Sequence, residues 1–471
     1  MRFERGDRSV LFFGARRLDE HLVAVNQQWV VRLADILDGM DWGGFEASYK
    51  PGGRPPLHPA RVVGLIIYGA MLGQTSLRQM EALAARDLGA LWMTAGLIPD
   101  FTTLMRFMQR HRVLLSEDFF TKTAWLITKR LKLKRGDVAL DGTIVQAVSS
   151  TAKALKRDTL DDVLAEAKAA GETARVEKLE AASEQLEKRQ RVRDEAGKPG
   201  TAVVSPDEPE AVLQPQKNSR DFRLSYKPVF ATHESGVIVG QALSPSSETA
   251  CVSSLLRQHE AVFGDNPQRV LADSAFNTVA LLARFVDDGV DALIPSGRGG
   301  DSRRRKDGLF APADFSVSDA GLPVCPAGTE MKRSGNGTDV GGRHFTNFRG
   351  VGCPTCPLKA RCTSAKARIF KLFDGYEVKR AMDSVMQHPA ARLAYRRRAP
   401  IAETTFARLQ RLGLLRFRRR GVAGARLELA IAATALNFRL FLWRTADVFV
   451  VFLAARVHGA WCGCVTIGTV G

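Results

Sequence analysis

Two short apolar runs in this chain each end on a carboxylate. Val138-Ala139-Leu140 leads into Asp141 and then Gly142; Val270-Leu271-Ala272 leads into Asp273 and then Ser274. An unbroken apolar run this short reads as a buried strand. A carboxylate at the end of such a strand faces the crevice where open α/β sheets bind ligands. A third acid, Glu403, lies in a basic, helix-like segment that starts Tyr395-Arg396-Arg397-Arg398. It would reach the same crevice from a helix packed alongside. Three converging oxygen ligands suit a hard divalent cation such as magnesium. Each acid taken alone reads as a helix cap or a surface charge; it is the three together that point to catalysis.

The strands between these acids define the rest of the expected sheet. Lys227 to Ala231 and Gly236 to Ala242, split by His233-Glu234-Ser235-Gly236, predict a hairpin. A helix from Ser246 or Ser247 to Phe263 then leads into the strand ending at Asp273. A helix over Thr278 to Val286 precedes a strand at Ala292-Leu293-Ile294. The fold class expected is a mixed α/β sheet with flanking helices and a long insertion after its first strand.

That insertion is rich in Ala, Glu, Lys and Arg from Leu160 to Arg193. Val176, Leu179, Ser183 and Leu186 follow an approximate heptad spacing. The segment reads as a solvated surface helix or helical hairpin, with self-association as the alternative. Gly197 to Gln216 is rich in Pro, Gly and acids and is expected to be a mobile loop. Before the sheet, residues 15 to 135 read as successive helices. Ser76 and Gln79 have the spacing of a capping box, and Thr102 or Thr103 is placed to cap a helix carrying Arg106, Arg110 and Arg112. A helix-turn-helix DNA reader and a plain helical bundle with a basic face fit this pattern equally.

A chain of 471 residues with 45% hydrophobic residues is globular and has room for roughly two to four domains. Its 68 Lys+Arg against 50 Asp+Glu, a net charge of +18, favours a polyanionic partner. Nucleic acid is the first candidate, because neutralised phosphates release counterions; a membrane surface is the second. The amino terminus has no apolar core of a secretory signal. No stretch reaches the length of a spanning helix, and the closest, Val448 to Ala455, is stopped by Arg456. No membrane association is therefore expected. Seven cysteines are too few and too clustered for a disulfide framework, so a cytoplasmic location is expected. Cys325, Cys353, Cys356 and Cys362 gather late in the chain; they can supply four thiolates to a structural zinc ion, or serve as reduced thiols or a redox pair. No role is expected for Cys251, Cys462 or Cys464, and Arg303-Arg304-Arg305-Lys306 reads as a generic basic loop.

The ordered motifs resemble bacterial insertion-sequence transposases of the DDE type, which have a ribonuclease-H-like catalytic core. The resemblance runs over residues 15 to 445. Gly53-Arg54-Pro55-Pro56-Leu57-His58-Pro59 and Pro99-Asp100 with Thr102-Thr103 and Arg106-Phe107 look like its amino-terminal signatures. Leu140-Asp141-Gly142-Thr143 and Leu271-Ala272-Asp273-Ser274-Ala275-Phe276 match its two aspartate motifs, and Tyr395-Arg396-Arg397-Arg398 through Glu403 and Phe406 resembles its glutamate block. A charged insertion and a cysteine cluster occur in one subgroup of the family. Two departures stand out: Gln410 replaces a lysine usual seven positions after the glutamate, and the tail from Val448 onward matches nothing in the family.

The resemblance implies cleavage at the ends of a mobile element and transfer of the freed 3′-hydroxyls to target DNA. Asp141 would bridge two magnesium or manganese ions, with Asp273 and Glu403 each holding one. Arg396, Arg397, Arg398, Arg418 and Arg419, with Arg106 of the head and Tyr395 near the DNA end, are the expected contacts to double-stranded DNA, at element ends and target; a solvated basic surface is the alternative. A homodimer on paired ends and a nucleoid-associated location in the bacterial cytoplasm are implied. The expected divisions are a helical DNA-binding domain (1–135), a core assembled from 136–150, 218–300 and 371–445, the helical insertion (151–217), a basic loop with a zinc-ribbon-like cysteine module (301–370) and an atypical tail (446–471). A non-catalytic DNA-binding regulator and an inactive transposase copy are the rival readings.

Overall fold

The computed structural model describes residues 2–195, 197, 200–216, 221–297, 307–318, 320–339 and 343–445. The tail beyond 445 and the basic run 303–306 lie outside the described residues. The head is helical: α1 (Leu18–Ala24), α2 (Gln28–Asp38), α3 (Pro59–Met71), α4 (Leu77–Arg86), α5 (Leu88–Thr94), α6 (Phe101–Arg110), α7 (Arg112–Ser116) and α8 (Asp118–Arg130). Among these, α3 is its centre, buried at every position except Arg61. Pro59 suits its first turn, where no N–H partner is needed, and the His58 Nδ1 accepts from the Ala60 N–H at 3.2 Å. The expected link from Gln79 to Ser76 is present, with the Ser76 N–H donating to Gln79 Oε1 at 3.2 Å. At α6 the cap is Asp100, not either threonine: its carboxylate accepts from the Thr103 N–H at 2.7 Å.

A seven-stranded mixed sheet follows. It comprises β1 (Asp137–Gly142), β2 (Val145–Gln146), β3 (Val212–Pro215), β4 (Phe222–His233), β5 (Ile238–Ser244), β6 (Arg269–Ala272) and β7 (Asp291–Leu293). Neighbours run β2–β4–β1–β6–β7, and the twelve-residue β4 also carries β3 and β5. Strands β1, β6 and β7 are mutually parallel, whereas β4 is antiparallel to β1 and β5. The parallel strands are buried on both faces, which is why they read as apolar runs rather than alternating ones. Helix α11 (Val252–Phe263) packs on β5 and α8, and α12 (Val279–Asp287) precedes β7.

The insertion is a helical hairpin of α9 (Arg157–Ala169) and α10 (Thr173–Glu195). Its apolar stripe is consumed internally: Leu179, Ala182 and Leu186 pack on Leu160 and Ala167, closed by Ala202 and Val204. Residues 200–216, expected to be mobile, are docked. Glu208 is fully buried and accepts N–H groups from Ser149 and Gly421 and the Tyr226 hydroxyl. A separate three-stranded sheet, β8 (Lys332–Thr338), β9 (His344–Arg349) and β10 (Ile369–Phe373), has its own core of Phe315, Met331, Phe348 and Phe370.

The chain then returns to the large sheet through α13 (Tyr376–Gln387), α14 (Pro389–Tyr395) and α15 (Arg398–Arg411). Helix α15 lies on β1 and β4 with Ala402, Thr405 and Leu409 buried. The last helix among the described residues, α16 (Gly421–Arg444), packs on α3, α7 and α8 of the head and on β5 of the sheet. Among the described residues no helix is long and apolar enough to cross a membrane.

Candidate active site

Parallel pairing sets Leu140 beside Ala272, so Asp141 and Asp273 are neighbours one step further on, at the carboxyl ends of β1 and β6. Each is steadied by its own turn. Asp141 accepts from the Gly142 N–H at 3.0 Å, and Asp273 caps a short turn by accepting from the Ala275 N–H at 2.8 Å. One cation lies across both: Arg398 Nη2 is 3.1 Å from Asp141 Oδ1 and 3.7 Å from Asp273 Oδ2. The Arg398 side chain is only 15% exposed, and its Nε is buried without a hydrogen-bond partner among the described residues. Burial pushes the Asp141 carboxyl up to about 6; Arg398 opposes the shift, while Asp273 and Glu248 add to it. Tyr395 faces the same place: its phenol is raised by burial and by Asp273 and Asp141, against Arg398.

Glu403 is on the expected helix, but it is exposed and its side chain has no ion pair or hydrogen bond among the described residues. The structure therefore brings Asp141, Asp273, Arg398 and Tyr395 together without Glu403. The further carboxylate acting on Asp141 is Glu248, paired with Lys227 at 3.0 Å. No neighbouring residue marks Glu248 in the sequence; Gly142, distant in the chain, leaves room for it, since a Cβ there would stand 2.7 Å from Glu248 Cδ.

The remaining basic candidates are spread out. Arg397 pairs with Asp137 and Glu234, at the opposite end of β1. Arg396 and Arg106 are exposed. Arg418 donates its backbone N–H to both Glu428 oxygens, at 3.0 and 2.9 Å. Arg419 is largely buried, with Nη2 on Met108 Sδ at 3.0 Å, and burial lowers its pKa. Glu428 itself is raised to about 7 by burial.

Cys325, Cys353, Cys356 and Cys362 are half-buried, without a disulfide, in the small three-stranded module. Burial raises the Cys362 thiol; Arg368 opposes the shift, and Cys353, Cys325 and Cys356 each add to it. Cys325 and Cys353 sit in tight turns, where Gly328 N–H bonds to Cys325 O at 2.8 Å and Cys356 N–H to Cys353 O at 3.3 Å. As the side chains stand, no group of three or more His, Cys, Asp or Glu among the described residues is arranged to hold a metal ion.

Comparison with known families bears on both ends of the molecule. Residues 19–110 match the family described as Transposase domain (DUF772), and residues 324–442 match Transposase DDE domain. The two matches indicate an insertion-sequence DDE transposase. The DDE match takes in the transposase's cysteine module, Arg398 and Glu403; Asp141 and Asp273 precede it. No curated protein matches the chain. DDE transposases generally use divalent metals such as magnesium. Two adjacent carboxylates already sharing one guanidinium, one of them held above its ordinary range, are chemically suited to a second positive charge.

Proposed function

We propose that this transposase cuts DNA at the ends of its element and joins the freed 3′-hydroxyls to target DNA, with Asp141, Asp273 and Glu403 as its acidic residues. The observation that carries the reading is the shared Arg398 cation between Asp141 and Asp273, at the carboxyl ends of adjacent parallel strands. The mixed sheet, with one antiparallel strand inside it, supports a ribonuclease-H-like core built from 136–150, 218–300 and 371–445. Asp141, Asp273 and Glu403 would hold two magnesium or manganese ions. Bound there, such ions activate the attacking oxygen and stabilise the leaving one.

The chain's own residues prepare the site. Arg398 keeps two neighbouring carboxylates side by side until a stronger cation arrives. Once displaced, its planar guanidinium is suited to a phosphate oxygen. Arg398 and Glu403 are five positions apart on α15, about 140° around a helix, so both cannot face the crevice together. Tyr395, beside the acids, is placed to stack on or hydrogen-bond a DNA end.

In the same reading the head, residues 1–135, binds double-stranded DNA through exposed cations such as Arg106, and two copies pair the element ends. Cys325, Cys353, Cys356 and Cys362 would hold a structural zinc ion; the thiol donor set and the paired tight turns support it. The test is a cleavage assay on a supercoiled plasmid carrying the DNA that flanks the gene, with magnesium, comparing wild type and Asp273→Asn. Cleavage at the element ends, lost in the variant, is expected. Specific end binding with no cleavage by either protein would favour an inactive copy or a regulator.

A further inference from the structure

We propose that the Lys227–Glu248 ion pair belongs to the acidic site and sets its affinity for divalent cations, Glu248 adding negative charge behind Asp141 and Lys227 offsetting it. The inference rests on Asp141 and Asp273 being the cation-binding acids.

Lys227 comes from β4, and its Nζ stands 3.0 Å from Glu248 Oε1, with the side chains 25% and 16% exposed. A swinging surface pair would be worth little, but this one is fixed from both sides. Lys227 is in register with Ser244 of β5. The Ser244 hydroxyl then accepts from the Ser246 and Ser247 N–H groups at 3.3 and 3.0 Å, shaping the turn that presents Glu248. On the other side the carboxylate lies against Gly142, the residue after Asp141. A Cβ at 142 would meet Glu248 Cδ at 2.7 Å and Cγ at 2.8 Å, so the approach depends on glycine.

The local charge balance follows. Three carboxylates (Asp141, Asp273, Glu248) face two built-in cations (Arg398, Lys227). An arriving divalent ion is attracted by the first set and repelled by the second. Glu248 acts here as a positioning residue, through charge and through the peptide that follows Asp141. Deleting either partner of the pair must then shift cation affinity in opposite directions.

The probe is Mn2+ alone, titrated calorimetrically into the full chain near neutral pH. Glu248→Gln leaves Lys227 uncompensated and is expected to weaken binding on the order of tenfold. Lys227→Met leaves Glu248 uncompensated and is expected to strengthen it by a similar factor, while Lys227→Arg, which keeps the charge, stays near wild type. Thermal unfolding of each variant reports folding separately, and Lys227→Arg against Lys227→Met carries the comparison if Glu248→Gln does not fold. Shifts of the same sign for both deletions, or none, would overturn the inference. Asp141→Asn separates the two levels of the argument: if it binds Mn2+ like wild type, the site itself is misassigned. If it loses binding while the Lys227 and Glu248 variants are unaffected, only the role of this pair fails.

Discussion

Arg398 and Asp141 meet at 3.1 Å across the end of the sheet, and the adjacent Arg397 pairs with Asp137 at the start of the same strand. Two consecutive arginines thus straddle β1 and hold the start of α15 against both ends of it. Both residues, expected at DNA phosphates, form ion pairs with the protein's own carboxylates. The contact also means that the guanidinium holding the two strand-end acids shares one helix with Glu403.

Arg398→Met should therefore destabilise the fold and sensitise it to metal. It leaves two carboxylates facing each other at a site where Asp141 is only 18% exposed. The expected cost is about 2 kcal/mol, below a fully buried pair because Asp273 is partly solvated. A divalent ion no longer competes with the guanidinium, so Mn2+ should raise the melting temperature more in the variant than in wild type. Thermal unfolding with and without Mn2+ measures both; equal gains in the two proteins would contradict the competition.

Asp141 predicts a pH dependence of stability. Its folded-state pKa, about 6, lies above the ordinary 3.8. Between these values the folded protein keeps a proton that the unfolded chain has lost, so stability falls as pH rises through this window and levels off above it. The drop attributable to this group is about 2 to 3 kcal/mol. Asp141→Asn cannot titrate there. The difference between wild-type and variant unfolding free energies, from urea titrations across about pH 4 to 7, should decline accordingly. A flat difference curve would show that the carboxyl is not held above its usual range.

Asn437 of α16 joins the long helix to the sheet edge. Its Nδ2 donates to Ile238 O at 2.7 Å and its Oδ1 accepts from the Ile238 N–H at 2.8 Å, with the asparagine fully buried. It thus satisfies both backbone groups of Ile238, a residue of the edge strand β5 in register with Thr232 of β4. Asn437→Leu should cost about 2 to 4 kcal/mol, because two buried backbone groups lose their partners. Asn437→Asp should be no better, since a carboxylate cannot donate to Ile238 O. Chemical denaturation decides; a loss under about 0.5 kcal/mol would mean that the edge is satisfied in another way.

The legibility of this molecule in its sequence follows the range of the interactions. Strands β1 and β6, the hairpin, α12 and the insertion hairpin carry local signals: apolar runs, turn residues, helical spacing. Those signals place Asp141 and Asp273 at strand ends, and strand order then makes them neighbours. What could not be read are partners distant in the chain: Arg398 on Asp141, Glu248 against Gly142, Asn437 on Ile238. Glu208 shows the same limit. Its segment is polar enough to read as a mobile loop, yet its one carboxylate collects donors from three other parts of the fold. The α6 cap was misplaced for a local reason: Asp100, Thr102 and Thr103 are all good caps, and the carboxylate takes the Thr103 N–H.

Glu208→Ala should accordingly loosen the insertion from the sheet. It strands the Ser149 and Gly421 N–H groups and the Tyr226 hydroxyl in a dry setting, at an expected cost of about 3 kcal/mol. Residues 200–216 should become faster to exchange amide hydrogen than the β1 core. Mass-resolved hydrogen exchange that finds no difference between wild type and variant would place the docking of this segment elsewhere.

The cysteine module makes the last prediction, and it has a readout independent of DNA. Cys362, whose thiol is raised by burial with Cys353, Cys325 and Cys356 beside it, gains most from a dication that all four can share. Purified protein is therefore expected to carry one zinc per chain. With zinc bound, Cys325, Cys353, Cys356 and Cys362 should react slowly with a thiol reagent; a strong chelator should release the metal and expose them together. The three-stranded sheet has only a small core of its own, Phe315, Met331, Phe348 and Phe370, so it should lose protection when the metal leaves. Cys353→Ser with Cys356→Ser should abolish zinc uptake while leaving the far larger head and sheet folded. Protein that contains no zinc, and whose four thiols react at the rate of free cysteine, would make these residues ordinary reduced thiols.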